Sequence, residues 1–266
     1  MLYRDGPGGS IGITQPAHAW VSGQLARAWG NATFGTFAPR DALILAAEQH
    51  DVGMAAWEMA PTLNPRTGRA YSFLELPEPL HSRIFIAGSR LVATQNRYAA
   101  LLTSRHFIRL AGRHDFATDP PATVHAITDY LATESAWQER LLAELRDDPV
   151  YAPHVAAEVL DRNSRLLAAW DWLSLLLLMG VRSPATVPDL PTATGATTLT
   201  LTPAAADPTR ITIDPWPFAT ATVAIFCEGR RLSGGYADDE ALRAALASAP
   251  WTTLQLTLRP AEPGAA

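Results

Sequence analysis

Apolar residues recur at helical spacing through most of the first 180 positions, a pattern typical of helices that bury one face. Thr14 and Pro16 predict the start of the first helix, because a threonine side chain can cap a helix and proline is tolerated in its first turn. A short strand is predicted just before it, at 11–14. The predicted helices cover about 15–29, 41–50, 80–92, 97–110, 119–146 and 153–180.

The pattern changes after Val187. The Pro-, Thr- and Ala-rich segment 184–196 is typical of a linker. Alternating or β-branched runs then predict short strands at 197–202, 210–213, 220–227 and 252–258. We therefore predict a mainly α fold, in which residues 1–183 form a helical domain and residues 197–266 form a small β-rich element packed on it. That element would either cover an apolar helix face or form the interface of a homodimer.

Composition changes this picture mainly by exclusion. The net charge is −5, so the chain lacks the positive field typical of nucleic-acid-binding proteins. Cys227 is the only cysteine in the sequence, which excludes an intrachain disulfide and a zinc site made of cysteines. The most apolar stretch, 166–179, is too short to cross a bilayer, and residues 1–10 lack the apolar core of a signal peptide. We expect a cytoplasmic protein that binds neither nucleic acid nor membranes.

A histidine and an aspartate stand side by side at the end of an apolar helix, in the segment AAEQHDVG at 46–53. Neighbouring helical residues point about 100° apart, but at a helix end both His50 and Asp51 can turn toward one ion. Imidazole and carboxylate together suit iron, manganese or zinc. The alternative is a buried histidine that is satisfied by the neighbouring carboxylate. A second dipeptide, His114-Asp115, follows a glycine and predicts a solvated turn instead.

Asp171 interrupts the apolar run 166–179. A buried carboxylate is costly unless a metal, another cation or several hydrogen-bond donors compensate it. We therefore treat Asp171 as a candidate metal ligand, with hydrogen bonding between helices as the alternative. The neighbouring Trp170 and Trp172 are expected to pack in the core rather than to contact a substrate.

The order of these residues resembles the ligand pattern of the HD superfamily of metal-dependent phosphohydrolases. That family has a histidine on its first helix, then the His-Asp pair, then an aspartate on a late helix, and its binuclear members add two histidines in between. The matching positions in this chain are His18, His50, Asp51, His81, His106 and Asp171. The resemblance covers 15–180 and implies an HD-like helical bundle that holds one or two divalent ions: iron, manganese or zinc.

Several short runs also resemble an uncharacterised bacterial family of domains of unknown function. These runs are QPAHA at 15–19, HDVG at 50–53, WE at 57–58, SRHF at 104–107 and DWLSL at 171–175. This second resemblance supports the fold and implies no activity.

One departure from the HD pattern concerns phosphate binding. Many HD phosphodiesterases have a lysine directly after the glycine of the His-Asp-x-Gly run, where this chain has Met54, and no lysine occurs elsewhere in the sequence. Arginine binds phosphate and carboxylate through paired hydrogen bonds. We therefore expect Arg105, with Arg66 and Arg69, to bind an anionic small-molecule substrate.

The segment 54–79 is long, rich in proline and interleaved with aromatic residues, and loops of this kind are often functional. We predict that it forms a lid over the metal, with Trp57 contacting the substrate and Glu58 acting as a catalytic carboxylate. The alternative is a surface loop whose aromatic side chains pack against the helices.

Three functions are compatible with this sequence. The first is a metal-dependent hydrolase of a small phosphate-containing substrate, which uses a metal-activated water. The second is a di-iron oxygenase that acts on a small molecule on the same scaffold, since a fold does not fix its chemistry. The third is a non-enzymatic binding protein with a vestigial site.

Overall fold

The computed structural model describes residues 1–6 and 8–262, which contain eight α-helices and nine strands. The helices are α1 (Gln15–Ala28), α2 (Arg40–Gln49), α3 (Met54–Met59), α4 (Glu78–Ala93), α5 (Arg97–Ala111), α6 (Pro121–Asp147), α7 (Ala157–Met179) and α8 (Asp239–Ser248). The strands are β1 (Leu2–Gly6), β2 (Gly9–Ile13), β3 (Leu63–Asn64), β4 (Arg69–Ala70), β5 (Ala185–Pro191), β6 (Ala196–Ala204), β7 (Asp207–Asp214), β8 (Val223–Leu232) and β9 (Trp251–Pro260).

Seven of the strands form one sheet in the order β1-β2-β8-β9-β7-β6-β5. Neighbouring strands run antiparallel except β7 and β9, which are parallel. The hairpin β1-β2 joins the rest of the sheet by pairing with β8, and β9 lies between β8 and β7. Strands from before α1 and from after α7 therefore belong to the same sheet.

The predicted mainly α fold with a small C-terminal β element is wrong, because this sheet makes the fold α/β. The segment 184–196, expected to be a linker, contains β5. β5 is an edge strand with a bulge between Val187 and Leu190, and proline is tolerated at such places, so its sequence looks like a loop. β1 has only five residues, too few to show a clear alternation of apolar and polar positions.

The sheet and the helices share one apolar core. α1 packs on β8 and α7 packs on β5, so the inward-facing residues of the strands meet the apolar faces of the two helices. Trp170 of α7 and Ile225 of β8 are fully buried in this core. Burying a side chain such as Ile225 contributes about 1.5–3 kcal/mol to stability.

α7 contains the most apolar run of the chain and ends at Gly180. Gly180 has a φ of +93°, a left-handed backbone that glycine adopts without strain, and its N–H donates to the carbonyl of Leu176. Among the described residues, no helix combines the length and the apolar character that crossing a membrane requires.

Two capped helix starts position residues of the candidate site. The side chain of Thr14 accepts a hydrogen bond from the N–H of Ala17 at the start of α1, as predicted, at 3.2 Å. Asn96 caps α5 in the same way, accepting from the N–H of Ala99 at 2.9 Å. Each cap satisfies a backbone donor that the first helical turn would leave unpaired. His18 follows the first cap by four residues.

The segment 54–79 is more ordered than its sequence suggests, since it contains α3 and the small hairpin β3-β4. Gly53, at the start of this segment, packs directly on Gly88 of α4, and a Cβ on Gly53 would overlap the backbone of Ile84 and Gly88. Only glycine allows this approach, which presses the turn after α2 against α4. That turn carries His50 and Asp51.

Candidate metal centre

Five ionisable side chains converge from four parts of the fold. His18 lies on the first turn of α1, His106 on α5 and Asp171 on α7, while His50 and Asp51 lie in the turn that follows α2. All five side chains are buried. We call these five residues the deep cluster.

Asp171 lies at the centre of the deep cluster. Its Oδ1 is 2.9 Å from Nε2 of His18 and 3.4 Å from Nε2 of His50. Its Oδ2 is 3.4 Å from Nε2 of His106. Burial alone would raise the pKa of Asp171, but the three neighbouring histidines, His106 most strongly, hold that pKa well below its usual range. Asp171 is therefore a carboxylate at neutral pH.

The hydrogen bond of His50 to the backbone fixes which of its ring nitrogens carries a proton. Nδ1 lies 3.0 Å from the carbonyl oxygen of Ala47, which can only accept, so Nδ1 carries a hydrogen. Nε2 then faces the carboxylates of Asp51 and Asp171, each 3.4 Å away, and has no hydrogen-bond partner among the described residues. In neutral His50 the lone pair of Nε2 would point at two negative charges. A cation, either a proton or a metal ion, is needed there.

The protonation of His50 shows the same demand for positive charge. Burial lowers the pKa of the imidazole, but the charges of Asp51 and Asp171 outweigh burial and raise that pKa to about 9. A buried histidine between two carboxylates thus holds a proton at neutral pH when nothing else supplies the charge. A divalent ion can take the place of that proton.

The donor atoms fit a metal ion in two overlapping groups, within each of which all donor atoms lie within 4.8 Å of one another. The groups are His18 with His50 and Asp51, and His50 with His106 and Asp171. These buried groups could hold a metal ion, and Nε2 of His50, the ring nitrogen without a hydrogen, can bind only one ion. Imidazole and carboxylate donors suit iron, manganese and zinc.

Two serines support the deep cluster from behind. The Ser174 hydroxyl donates to the carbonyl oxygen of Asp171 at 2.8 Å, and its oxygen lies 2.5 Å from Nδ1 of His18. Ser22 donates to the hydroxyl oxygen of Ser174 at 3.0 Å. With the Ser174 hydrogen on the carbonyl, Nδ1 of His18 donates to Ser174, and Nε2 is the ring nitrogen that lies 2.9 Å from Oδ1 of Asp171. Hydrogen bonds of this kind orient metal-binding histidines in proteins.

The deep cluster lies at one wall of a cavity of about 570 Å³. His50, Asp51, His106 and Asp171 line it directly. Most of the other lining side chains are apolar, and the segment 73–77 contributes several of them. A cavity of this size, largely apolar with a few polar groups at one place, is typical of a site for a small molecule.

A second polar group lines the same cavity, and we call Glu78, His81 and His114 the outer cluster. Glu78 Oε2 is 3.7 Å from Nδ1 of His81 and 3.7 Å from Nε2 of His114. Burial would raise the pKa of Glu78, but His81 and Ser82 outweigh it and lower that pKa. His114 is held by Asp119 at 2.9 Å.

His81 was predicted to be a metal ligand, but the structure places it in the outer cluster and in neither of the two groups whose donor atoms converge. Its ring packs on Phe85, with ring centroids 4.1 Å apart. His81 lies in the first turn of α4, and its side chain lines the cavity outside the deep cluster.

None of the three predicted phosphate-binding arginines is among the described residues that line the cavity. Arg105 faces α7, where its Nε donates to Ser164 at 3.2 Å. Arg69 lies 3.2 Å from Asp5, and Arg66 is exposed. The position of Arg105 next to His106 is misleading, because adjacent residues of a helix face different directions.

Trp57 and Glu58 also lie away from the cavity lining. Trp57 packs against the apolar group around Met54. Glu58 is buried, accepts from the N–H of Gln15 at 2.8 Å, and lies 3.0 Å from the amino group of Met1. Burial raises the pKa of Glu58. The contacts of Glu58 hold the start of α1 in place, since Gln15 is the first residue of that helix.

Several residues of the cavity were missed. Arg113 lines it, as does His114, which we expected in a solvated turn, and Trp172 lies at its exposed edge instead of in the core. The sequence could have placed Glu78 in the first turn of α4, since proline and acidic residues are common where a helix begins. Nothing in the sequence indicates that the turn after α5 folds back toward the His-Asp pair.

No curated protein and no solved structure matches the chain. A family model described as a protein of unknown function, DUF3891, matches residues 1–234. That match agrees with the expected resemblance to an uncharacterised domain family and brings no activity with it. Since the match covers most of the sequence, the chain belongs to the DUF3891 family of proteins of unknown function.

Proposed function

We propose that this protein is a metal-dependent hydrolase of a small phosphate-containing substrate, with a metal centre of the HD type formed by the deep cluster. The observation that carries the proposal is the position of His50 Nε2, buried without a hydrogen-bond partner among the described residues and facing two carboxylates. Such an arrangement is costly unless a cation occupies it.

The ligands in this proposal are His18, His50, Asp51, His106 and Asp171, in the chain order that resembles the HD pattern. A bound divalent ion would lower the pKa of a bound water and so supply hydroxide near neutral pH. In hydrolysis the water oxygen bonds to phosphorus, the bond from phosphorus to the leaving oxygen breaks, and that oxygen gains a proton. Burial of the ligands keeps bulk water from competing for them.

The first experiment is elemental analysis of the purified protein and of the double variant His50→Ala, Asp51→Ala. We expect near-stoichiometric iron, manganese or zinc in the native protein and almost none in the variant. Circular dichroism of both proteins checks that the variant still folds. His114→Ala is the matched control, because it removes a histidine that lines the same cavity outside the deep cluster, and it should keep the metal.

Turnover of p-nitrophenyl phosphate and bis(p-nitrophenyl) phosphate by the metal-loaded protein tests the reaction class. Manganese or zinc with phosphatase activity supports the hydrolase. Two irons per chain, oxygen-sensitive visible absorption and no phosphatase activity would replace it with the di-iron oxygenase. A native protein that stays metal-free after reconstitution with iron, manganese and zinc would overturn the metal centre and favour a binding protein.

A further inference from the structure

The walls of the cavity are mainly apolar, so a ligand that fills it needs an apolar part, which a bare phosphate group lacks. Side chains around the deep cluster include Met54, Leu76, Phe85, Phe107, Leu110 and Leu175. Phe85 and Phe107 stack with ring centroids 3.7 Å apart and an angle of 10° between the rings. A ligand gains affinity here by burying apolar surface against these side chains.

One cation stands where the cavity meets solvent. Arg113 lines the cavity and is exposed, and so is Trp172. Both residues also line a neighbouring groove to which Arg109 and Arg165 contribute. Arg165 already pairs with Asp189 at 2.5 Å. Within residues 1–6 and 8–262, neither Arg109 nor Arg113 has a carboxylate within 4.0 Å.

At the mouth of the cavity, away from the deep cluster, the charges favour an anionic group over a cationic one. Glu78 already has His81 and His114 beside one of its oxygens, and Ser82 donates to the other oxygen at 3.0 Å. The guanidinium of Arg113 is not compensated in this way. Arginine pairs with carboxylate or phosphate through two parallel hydrogen bonds, so it is the group at the mouth that would recognise an anion.

We infer that the cavity binds an amphipathic anion, with an apolar body against Phe85 and Phe107 and an anionic group paired with Arg113 at the mouth. As a statement about the substrate, this rests on the proposed function, which places the bond to be hydrolysed at the deep cluster. The substrate would then carry its reacting group at one end and a second anionic group at the other. The cavity of about 570 Å³ accommodates such a molecule.

The test is calorimetric titration of the full chain with butyrate, hexanoate, octanoate and decanoate, and with 1-octanol as the uncharged comparison. Affinity should rise about fourfold for each added CH₂ group that enters the cavity. Octanoate should bind about tenfold more tightly than 1-octanol, because only the anion pairs with Arg113. An affinity that does not change with chain length, or octanol binding as tightly as octanoate, would overturn the inference.

Two arginine variants locate the anion. Arg113→Ala should weaken octanoate binding about tenfold, whereas Arg66→Ala, which removes an exposed arginine far from the cavity lining, should change it by less than about twofold. Equal effects of the two variants would contradict a role for Arg113. Both side chains are exposed, so neither change is expected to unfold the protein.

Repeating the titrations after chelation separates this inference from the proposed function. Chain-length dependence that survives in metal-free protein supports the ligand class even if no metal is ever bound. Stoichiometric metal without binding of any of the four carboxylates would support the metal centre and overturn the amphipathic anion.

Discussion

The cavity has two clusters of histidines and acidic residues, built from the same residue types but very different in what they can do. In the deep cluster, the histidine side chains are at most 2% exposed and several nitrogens face a shared carboxylate. In the outer cluster, His114 is 34% exposed, and its two ring nitrogens face two different carboxylates, those of Glu78 and Asp119. Residue type alone therefore does not make a candidate metal site.

The difference lies in how each cluster balances its charge. Glu78 accepts a hydrogen bond from Ser82 at 3.0 Å, the two histidines lie 3.7 Å away, and His114 contacts solvent, so water can help to balance the charges of the outer cluster. In the deep cluster two carboxylates face His50 in a dry place, and positive charge must be supplied. Because the two carboxylates of the deep cluster are buried, they need a cation beside them.

The largest expected difference between the two clusters is in metal affinity, when one carboxylate of each cluster is replaced by its amide. Asp171→Asn removes the charge at the centre of the deep cluster with almost no change in shape, and we expect metal affinity to fall on the order of 100-fold or more. Glu78→Gln makes the same chemical change in the outer cluster and should leave metal affinity unchanged. Competition with a chromogenic chelator measures both affinities.

If Glu78→Gln lost as much metal as Asp171→Asn, the two clusters would act as one site and the distinction between them would fail. Near-ultraviolet circular dichroism of each variant serves as the check that packing around the cavity survives.

A second, smaller difference in metal affinity is expected when the serine that hydrogen-bonds to each cluster is replaced by alanine. Ser174→Ala removes the partner of His18 Nδ1, and metal affinity should fall about 10- to 100-fold because the ring loses its orientation. Ser82→Ala removes the hydrogen bond to Glu78 and should have no such effect. Equal losses in the two variants, measured by the same chelator competition, would show that the fold responds generally to loss of a serine.

The smallest expected effect is on the pH dependence of stability. The pKa of Glu78 is lowered in the folded protein, so folding favours its charged form and the carboxylate stabilises the protein above its unfolded pKa of about 4.5. That stabilisation is lost as the pH falls through the lower pKa of the folded state. Glu78→Gln should therefore reduce the free energy of unfolding at pH 7 by about 1 kcal/mol or less, and the difference from wild type should disappear in acid.

Urea denaturation at pH 7 and at several lower pH values measures this difference. The exposed Glu139 on α6 provides the control Glu139→Gln, for which we expect little change at any pH. A difference between Glu78→Gln and wild type that grows as the pH falls would have the wrong sign for a carboxylate with a lowered pKa.

The long helices of the first 180 residues could be predicted well because they are strongly periodic, whereas the shorter α3 and α8 were not predicted. α5 was predicted at about 97–110 and spans Arg97–Ala111. The sheet could not be predicted, since its identity depends on pairing between β2 and β8, which are about 220 residues apart in sequence. Short strands carry little local signal, and their burial is decided by which helix covers them.

Most candidate metal ligands could be predicted from the sequence, but the other residues of the cavity could not. His50 and Asp171 were identified from position and residue type, and His18 from the resemblance to the HD pattern. The structure brings the three together; that they bind a metal stays a prediction. The substrate side chains were not identified, because a residue such as Arg113 reaches the cavity through the path of a turn. Local sequence indicates which residues carry charge but not which wall they will face.

The position of β9 bears on how this chain folds as it is made. β9 follows both of its neighbours in sequence but lies between them, so the sheet remains two separate three-stranded pieces until residues Trp251–Pro260 have been synthesised. Until then β8 and β7 each expose an unpaired edge that can join the wrong strand. Late, long-range closure of this kind slows folding and favours aggregation of incomplete chains.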